Sequence, residues 1–560
     1  MHNNPSGTYA RRKAAPLRAA ENSDSDPFGE GAPGSDIRPT VIVRAGELHN
    51  IATQAERALI LAETPFYVRG GMIVRPVVDK LPSSSGALVK AARLLAVQEG
   101  AMIDHLSRAA TWQKFDARKQ ALVTADPPSS VATTILSRDG EWQFPHLSGV
   151  ITTPTMRPDG TILSKAGYDP ATHLLLLDPP NLPAIPDAPN KADAQDALAK
   201  LDALLDDFPF TDDVSRAVAL SALITPVVRG AMTVAPMHAI TATAPGSGKS
   251  YIVDLVSAIS GGERAPVMSA GKTEEETEKR LVGATIEGHP LITVDNVNGG
   301  LGGDFLCQLV ERPIVSVRPL GTSKPMKVES RACCFATGNN IQLVGDMTRR
   351  VLLCSLDPDV ERPELRTFHG DPFAAVIANR ATYISAALTI VRAHAVAGYP
   401  GAQSPLASFE AWSRLVRSAL VWLGRSDPVK SMDKAREEDP VTSSLTVLFA
   451  AWHDLIGGDA KPVGEIISIA EMIDQYGNTK RAQFRQALGD IATDKYGKIS
   501  SLALGKYLGR YAGRIVGGLK LVSFKDNHSK QNWWQVIEVG RAVGSEWPGG
   551  KTITPEPFTA

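Results

Sequence analysis

Residues 243–250 read TAPGSGKS and lie between an apolar stretch, 238–242, and a helical pattern that starts at Lys249. Apolar residues recur along one face of 249–260, and glycines at 261 and 262 end the pattern. A glycine-rich turn between strand and helix predicts a phosphate-binding loop, because backbone N–H groups and the helix dipole face one anion. Thr243 departs from the P-loop pattern, which has glycine there. The alternative is an ordinary glycine-rich turn.

This loop predicts ATP as ligand and Mg²⁺ as its metal. The side chain of Lys249 is expected to reach the β- and γ-phosphates, and the hydroxyl of Ser250 is expected to bind Mg²⁺. The predicted nucleotide-binding residues are Pro245, Gly246, Ser247, Gly248, Lys249, Ser250 and Tyr251.

An apolar segment that ends in an acid follows at 291–296, LITVDN. Asp295 is predicted to hold Mg²⁺ as a Walker B residue. Asn296 stands where many P-loop ATPases have a second acid that polarises the attacking water. Either Asn296 orients the water while Glu276 or Asp304 acts as base, or turnover is slow. The alternative is a buried strand that ends in a turn aspartate.

Two further motifs follow. In ACCFATGNN, residues 332–340, Asn339 or Asn340 is predicted to contact the γ-phosphate or the attacking water, with a plain turn as the alternative. In GDMTRRVLLCSLD, residues 345–357, Arg349 or Arg350 is predicted to stabilise transition-state charge in a neighbouring subunit. A solvated basic pair is the alternative for that motif.

The order of these motifs resembles the AAA+ ATPases, and most closely superfamily three, the viral and phage replicative helicases that include the poxvirus-type primase-helicases. The wording of VDNVNGG (294–300), FATGNN (335–340) and GDMTRRVLLCSLD is similar to that of prophage-type helicases. The resemblance covers most of 40–540. It implies a homo-hexameric ring that binds ATP between subunits and passes DNA through its centre during replication of a phage or mobile element.

Two basic regions are predicted to contact single- or double-stranded DNA. Residues 312–331 form a predicted hairpin with Arg318, Lys324 and Lys327, and the resemblance implies that a lysine at the tip, Lys324, contacts DNA. The alternative is an exposed hairpin kept soluble by charge. Residues 480–530 contain eleven Lys or Arg against three Asp.

The second basic region predicts a helix that starts at Ser500 or Ser501 and is followed by two strands, the order of a winged-helix module. Lys506, Arg510 and Arg514 recur every four residues and would form a basic stripe on that helix. A solvated basic face is the competing interpretation.

The predicted fold class is α/β, with an AAA+-like P-loop domain as its central part. The predicted domains are a disordered tail (1–38), an N-terminal mixed α/β module (39–177), a proline-rich linker (178–191), a helical collar (192–229), the P-loop ATPase domain (230–395), a helical segment (405–435), a winged-helix-like DNA-binding domain (440–540) and a flexible tail (541–560).

Composition narrows the function classes. The 560 residues are 43% hydrophobic and 21% charged with a net charge of -1, as in a soluble globular protein. The longest apolar segment, 217–228, is too short to span a bilayer, so no membrane role is expected. Four cysteines without CxxC spacing predict neither a zinc site nor disulfides, which suits the cytoplasm of a bacterial host.

Two rival functions remain open at this point. One is a DNA-binding assembly factor that uses ATP as a slow or non-hydrolytic switch, and Asn296 is the residue that supports it. The other, weaker one is a P-loop kinase or signalling NTPase. No carboxylate cluster or zinc pattern indicates a primase site, so any primase partner is expected to be a separate chain.

Overall fold

The computed structural model describes residues 38–82, 88–319, 324–366, 369–437, 440–472, 479–494, 496–525 and 531–539. Apart from Arg38, the predicted tails at 1–38 and 541–560 lie outside the described residues, and so does the segment 320–323 of the predicted hairpin.

The elements before the proline-rich segment form small sheets and short helices. In chain order they are β1 (Thr40–Val43), α1 (Leu48–Leu61), β2 (Tyr67–Arg69), β3 (Met72–Pro82), β4 (Leu88–Ala96), α2 (Glu99–Ala109), β5 (Thr111–Asp116), β6 (Ala121–Thr124), α3 (Ser129–Leu136), β7 (Gly149–Ile151), β8 (Thr155–Met156), β9 (Ile162–Leu163), β10 (Gly167–Asp169) and β11 (Leu174–Leu176).

These elements divide between two compact units. One unit contains 38–64 and 99–135, where β1, β5 and β6 form a sheet and Trp112 is buried, its Nε1 donating to the carbonyl of Leu106 at 2.9 Å. The other unit contains 65–98 and everything described after 136. The single module predicted at 39–177 is therefore split, because β2 to β4 and β7 to β11 pack with the later part of the chain.

The middle of the chain alternates strands and helices. Its elements are α4 (Lys191–Ala203), α5 (Asp213–Ile224), β12 (Met237–Ala242), α6 (Lys249–Ser260), β13 (Val267–Ser269), α7 (Glu274–Glu287), β14 (Leu291–Leu301), α8 (Asp304–Glu311), β15 (Ile314–Val317), β16 (Met326–Glu329), β17 (Cys333–Leu343), β18 (Val351–Leu356), α9 (Pro372–Ala378), α10 (Arg380–Val396), α11 (Glu410–Trp412), α12 (Ser418–Trp422) and α13 (Lys430–Glu437).

A five-stranded sheet lies at the centre of this region. Its order is β13-β14-β17-β12-β18, and every neighbouring pair is parallel. All six residues of β12 are buried, as expected for a central strand that is covered on both faces. Because the strands are parallel, their carboxyl ends share one edge, which is where open α/β sheets bind ligands.

The flanking helices belong to the same hydrophobic core as the sheet. This core includes residues of the sheet and of the helices α4, α5 and α10 to α13. The predicted collar (192–229) and helical segment (405–435) therefore share one hydrophobic core with the P-loop domain. Asp212 caps the amino end of α5, and its side chain accepts from the Ser215 amide at 2.7 Å.

The C-terminal part has its own hydrophobic cluster around Trp452, Phe449 and Phe484. Ser500 caps the helix that precedes the last strands, as predicted. Strand order in its sheet is β19-β22-β21-β20. The elements are α14 (Pro440–Ile456), β19 (Lys461–Pro462), α15 (Val463–Glu471), α16 (Thr479–Ala492), α17 (Ser501–Tyr511), β20 (Ile515–Val516), β21 (Leu519–Lys525) and β22 (Asn532–Glu538).

Among the described residues, no single helix has the length and apolar character to cross a membrane. Within the same residues, one pair of helices, α9 and α10, reaches that length and apolar character jointly, and it is bent by 90°.

Candidate functional site

The glycine-rich loop joins β12 to α6, as predicted. Gly246 and Gly248 have φ angles of +76° and +94°, a left-handed conformation that favours glycine. A Cβ on Gly248 would also lie 3.0 Å from the ring of Phe208. Lys249 begins α6, and its Nζ donates to the carbonyl of Ala244 at 3.0 Å. The lysine side chain therefore lies over the turn of its own loop.

The remaining loop residues define the shape of this turn. Pro245 is exposed, whereas Ser247 is buried and its Oγ donates to the Ala244 carbonyl at 2.6 Å. Thr243 replaces the usual glycine without disturbing the loop, and its Oγ1 lies 3.5 Å from Oδ1 of Asp357. That contact connects the start of the loop to the segment that follows β18.

Asp295 lies at the same edge of the sheet, in β14. Its Oδ1 accepts from the Ser250 hydroxyl at 3.4 Å and from the hydroxyl of Thr337 in β17. Burial lowers the pKa of the Lys249 ammonium, and the charge of Asp295 opposes that shift. The loop, the acid-ended strand and β17 therefore converge on one carboxylate. Sequence reasoning missed Thr337, although it lies within the quoted FATGNN motif.

A β-bulge aims this carboxylate. Between the pairs Val294–Ala336 and Val297–Gly338, two residues of β14 lie opposite one residue of β17. Bulges bend a strand and redirect side chains, and they are frequent next to active sites. Asn296 is the second bulge residue. It is exposed and has a φ of +56°, in the left-handed region that asparagine tolerates better than most residues.

The structure distinguishes the two asparagines of FATGNN. Asn339 pairs with Ala242 at the end of β12, and its Oδ1 is buried without a hydrogen-bond partner in the described part of the chain. Asn340 is exposed with a φ of +49°, as in a turn. Gly338 allows this arrangement, because a Cβ there would lie 2.1 Å from the carbonyl oxygen of Val297. Asn339 is therefore the residue placed to contact a ligand.

The two sequence candidates for a catalytic base differ in their surroundings. Glu276 is engaged by Arg280 at 2.5 Å and by the Lys272 amide at 3.0 Å. The amide of Asp304 donates to Glu274 at 3.1 Å at the start of α8. A cavity of about 660 Å³ borders Asn296, and its lining includes Glu274 and Glu278, two acids that the sequence did not single out.

The arginine pair divides into one buried and one partly exposed residue. Arg350 is 4% exposed, and its guanidinium pairs with Glu311, at 2.9 Å from Nε to Oε2, and with Asp346, at 2.9 Å. Arg349 contacts the same two acids at 3.3 and 3.2 Å, but its side chain is 40% exposed. Burial raises the pKa of Glu311, but hydrogen bonds from Ser408 and Arg350 and the arginine charges outweigh it and lower that pKa. Arg350 is thus an internal ion-pair residue, contrary to the equal weight the sequence gave the pair.

Both arginines lie far from the glycine-rich loop of their own chain. The Met237 amide, at the first residue of β12, donates to the Arg350 carbonyl at 2.9 Å. The loop follows Ala242 at the other end of that strand. With a rise of about 3.3 Å per residue, the ends of β12 are about 16 Å apart. The pair therefore borders the amino edge of the sheet, opposite the loop.

Tyr251, the last predicted nucleotide-binding residue, has a structural contact that the sequence did not reveal. Its hydroxyl donates to Asp371 at 2.5 Å and accepts from the Phe373 amide at 3.1 Å. Burial, and then the hydrogen bond to Asp371, raise the pKa of Tyr251. Its ring centroid lies 6.0 Å from that of Phe208. Tyr251 therefore attaches the segment before α9 to the first turn of α6.

The predicted hairpin is present as β15 and β16, with Ile314 opposite Glu329 and Val317 opposite Met326. Arg318, Lys324 and Lys327 are all exposed, and the Lys324 side chain is 85% exposed. The Nζ of Lys324 lies 3.6 Å from Oδ2 of Asp139, so this lysine borders the segment before β7.

The C-terminal basic stripe is shorter than predicted. Lys506 and Arg510 are exposed one turn apart on α17. Arg514 is not on the helix, because α17 ends at Tyr511 and Gly513 has a φ of +84°. The Arg514 guanidinium instead lies 5.9 Å from the Tyr511 ring centroid. The prediction of one continuous helical stripe is wrong for this residue.

These side chains suit magnesium-bound ATP. Ser250 and Asp295 supply oxygen atoms, which are the ligands that Mg²⁺ prefers. The glycine turn leaves no Cβ at the positions nearest the start of α6, and Lys249 offers a cation there. The buried Oδ1 of Asn339 fits a hydrogen-bond donor such as a water bound to the nucleotide.

Comparisons with known proteins give weak likenesses of overall structure. No protein-family model matches the chain, and no curated protein matches it. The chain is similar to two A-form apo structures of the C-terminal region of NrS-1. The first is 10% identical, with 74% of this chain and 91% of that chain covered and a TM-score of 0.33. The second is 11% identical, with 87% of this chain and 99% of that chain covered and a TM-score of 0.34. The chain is also similar to JCV helicase bound to a small molecule. The identity is 14%, the match covers 44% of this chain and 74% of that chain, and the TM-score is 0.20. At these values, the likenesses assign neither family nor function.

Proposed function

We propose that this protein is an ATP-hydrolysing DNA helicase that acts as a ring, during replication of a phage or mobile element. The observation that carries the proposal is the meeting of three strand ends at one edge of the sheet. The loop after β12 supplies Lys249, β14 supplies Asp295, and β17 supplies Asn339 beside them. A cation, a metal-binding acid and a buried amide acceptor are the groups that phosphoryl transfer from ATP requires.

In this proposal each group has one task. Lys249 binds the phosphates, Ser250 and Asp295 hold Mg²⁺, and Thr337 fixes the Asp295 carboxylate through its hydrogen bond. Bound Mg²⁺ neutralises charge on the phosphates. Asn339 orients the attacking water or detects loss of the γ-phosphate.

The position of Arg349 supports a ring. About 16 Å separates the ends of β12, so Arg349 does not reach the ATP bound to its own chain. Its partly exposed guanidinium would exchange its contacts with Glu311 and Asp346 for the nucleotide of an adjacent subunit, where an arginine adds strongly to the rate. A homo-hexamer would place six such sites around a central channel, and a separate primase chain would act beside it.

Exposed cations supply the DNA contacts. Lys324 and its neighbours on the β15–β16 hairpin would bind phosphates of one strand, and Lys506 and Arg510 would bind a second stretch of DNA through α17. Contacts of this kind are independent of sequence and weaken with salt. The helices and hairpin of the C-terminal part would then act as a winged-helix-like module.

The test is ATP-dependent displacement of one strand of a tailed duplex, with the Lys324→Ala variant. For the variant, we expect the slope of log DNA affinity against log salt concentration to be less steep by about one unit for each lost phosphate contact. We also expect slower strand displacement. Its turnover of ATP without DNA should stay unchanged, because Lys324 lies away from the loop of α6.

Lys165→Ala is the matched control, because Lys165 is also exposed but lies outside both basic regions. If wild-type protein turned over ATP but displaced no strand from duplexes with either tail, the helicase proposal would be wrong. If Lys324→Ala behaved like Lys165→Ala, the hairpin would not be a DNA contact.

Asn296 favours a second candidate, an assembly factor on DNA that uses ATP as a slow switch. We expect Asn296→Asp to raise ATP turnover about tenfold or more if a second carboxylate is what limits hydrolysis, within the range of general base catalysis. Aspartate keeps the side-chain shape and tolerates the positive φ of this position. Turnover is measured with and without DNA.

Asn296→Gly serves as the control, since glycine adopts the positive φ of this position and adds no charge. Low wild-type turnover that DNA does not stimulate, together with a large gain in Asn296→Asp, would favour the switch. Rapid wild-type turnover that Asn296→Asp leaves unchanged would show that the base lies elsewhere, with Glu274 and Glu278 as the next residues to replace.

A further inference from the structure

A second pocket lies at the amino edge of the sheet, opposite the glycine-rich loop. It is lined by the end of α7, by the β7 to β8 segment and by the residues after β16. Three arginines line it, Arg69, Arg229 and Arg331, and none of its described lining residues is Asp or Glu. The charged side chains of this lining are therefore all cationic.

Within the described residues, the hydrogen-bond partners of the Arg69 guanidinium are all backbone carbonyl oxygens. Its guanidinium donates to the carbonyls of Leu147, Ser148, Thr285 and, at 3.4 Å, Ile286. The side chain is 3% exposed, and burial lowers its pKa to about 10. The carbonyls at the end of α7 contribute about half a negative charge, so the arginine is only partly neutralised.

Arg229 is equally buried and has even less compensation. Its two terminal nitrogens donate to the carbonyls of Met232 and Thr233, whereas its Nε has no partner in the described part of the chain. The Cys333 thiol beside it gives no negative charge, because burial raises the pKa of that thiol to about 11. Burial and the charge of Arg331 both lower the pKa of Arg229.

Arg331 pairs with Glu329, the carboxylate that the described residues place beside this group. Its Nε donates to Oε1 of Glu329 at 2.9 Å, and Glu329 also accepts from Ser148 at 2.5 Å. One carboxylate for three guanidinium groups, which stay protonated at neutral pH, leaves an excess of two positive charges. Buried charges are normally paired or bound to a counter-ion, so this excess predicts an anion in the pocket.

The pocket sets the size of that anion. Its volume is about 40 Å³, which accommodates about three water-sized groups at the 10–15 Å³ that each water needs. A nucleotide does not fit, whereas a small oxyanion does. Thr155 also lines the pocket, and its Oγ1 accepts from the Gly230 amide at 3.1 Å, which leaves the hydroxyl proton for a ligand.

We propose that this pocket binds inorganic phosphate as a structural anion, between Arg69 of β2, Arg229 and Arg331. Arg331 lies two residues after the end of β16, so the anion would attach the base of the β15–β16 hairpin to β2 and to the core of the sheet. The site is independent of ATP hydrolysis, because it lies at the opposite edge from Lys249.

The test is calorimetric titration of the full chain with inorganic phosphate, in the Lys249→Ala background that weakens the loop as a competing phosphate site. We expect one phosphate to bind each chain and the unfolding temperature to rise with phosphate concentration at constant ionic strength. Adding Arg229→Gln should weaken binding about tenfold or more, because a charge-assisted contact is lost.

Arg331→Gln is the second variant, since its side chain is less buried than that of Arg229 and its loss disturbs the core less. Arg57→Gln, on the exposed side of α1, is the control and should leave binding unchanged. Absence of phosphate binding to the Lys249→Ala protein would overturn the proposal. So would equal affinity in all three arginine variants.

Discussion

Lys249→Ala is expected to lower ATP turnover about 100- to 1000-fold, the usual loss when one preorganised donor to transition-state charge is removed. Lys249 is the cation at the start of α6, and its Nζ lies over the turn that would hold the phosphates. The measurement is steady-state phosphate release with saturating DNA. Because the hydrogen bond of Lys249 is to the carbonyl of its own loop, the variant should keep the stability of the wild type.

Lys200→Ala is the matched control, an exposed lysine on α4. It should retain wild-type turnover and strand displacement. If Lys249→Ala turned over ATP as fast as the Lys200→Ala control, the loop would not be the nucleotide site and the proposed function would be wrong. The phosphate pocket at the amino edge would be unaffected by that result.

Arg350→Ala is expected to destabilise the protein by about 1.5–3 kcal/mol, the usual cost of losing hydrogen bonds to a charged group. Arg350 is 4% exposed and pairs with Glu311 and Asp346, so alanine would leave the largely buried Glu311 carboxylate with its contacts to Arg349 and Ser408 alone among the described residues. Chemical denaturation followed by circular dichroism measures the change in the free energy of unfolding.

Two controls separate this effect from a general loss of packing. Arg349→Ala should cost far less stability, since Arg349 is 40% exposed, yet it should lower ATP turnover if the protein acts as the proposed ring. The double variant Glu311→Gln with Arg350→Met should recover much of the loss, because no buried charge remains. A stable Arg350→Ala protein would contradict the structural role.

The pH dependence of this loss has a definite sign. The pKa of Glu311 is lower in the folded protein than its ordinary value of 4.5. The stabilisation that Glu311 provides is therefore complete above pH 4.5 and is lost as the pH falls through the folded-state pKa. The difference between wild type and Arg350→Ala should therefore shrink in acid.

The central part of the fold was predictable because its signals are local. A fully buried parallel strand is a short apolar run, and the glycine-rich turn and the amphipathic helix that follow it are adjacent in sequence. The end of α6 at Ser260, before two glycines, was predictable for the same reason. These features required no knowledge of distant residues.

Other features depend on contacts between distant parts of the chain. Nothing near Arg350 in sequence indicates that it pairs with Glu311, whereas Arg349 beside it stays partly exposed. The hydrogen bond from Thr337 to Asp295 depends on the register of β14 and β17. The three-arginine pocket brings together positions 69, 229 and 331, which no local pattern connects.

The bulge at Asp295 and Asn296 limits which residues evolution can place beside the Asp295 carboxylate. A glutamate there would have to adopt a left-handed backbone, at a cost of about 1–2 kcal/mol for an ordinary residue. Aspartate avoids most of that cost, and a single base change in either asparagine codon produces it. One base change therefore replaces Asn296 by aspartate, so this acidic variant has been open to selection.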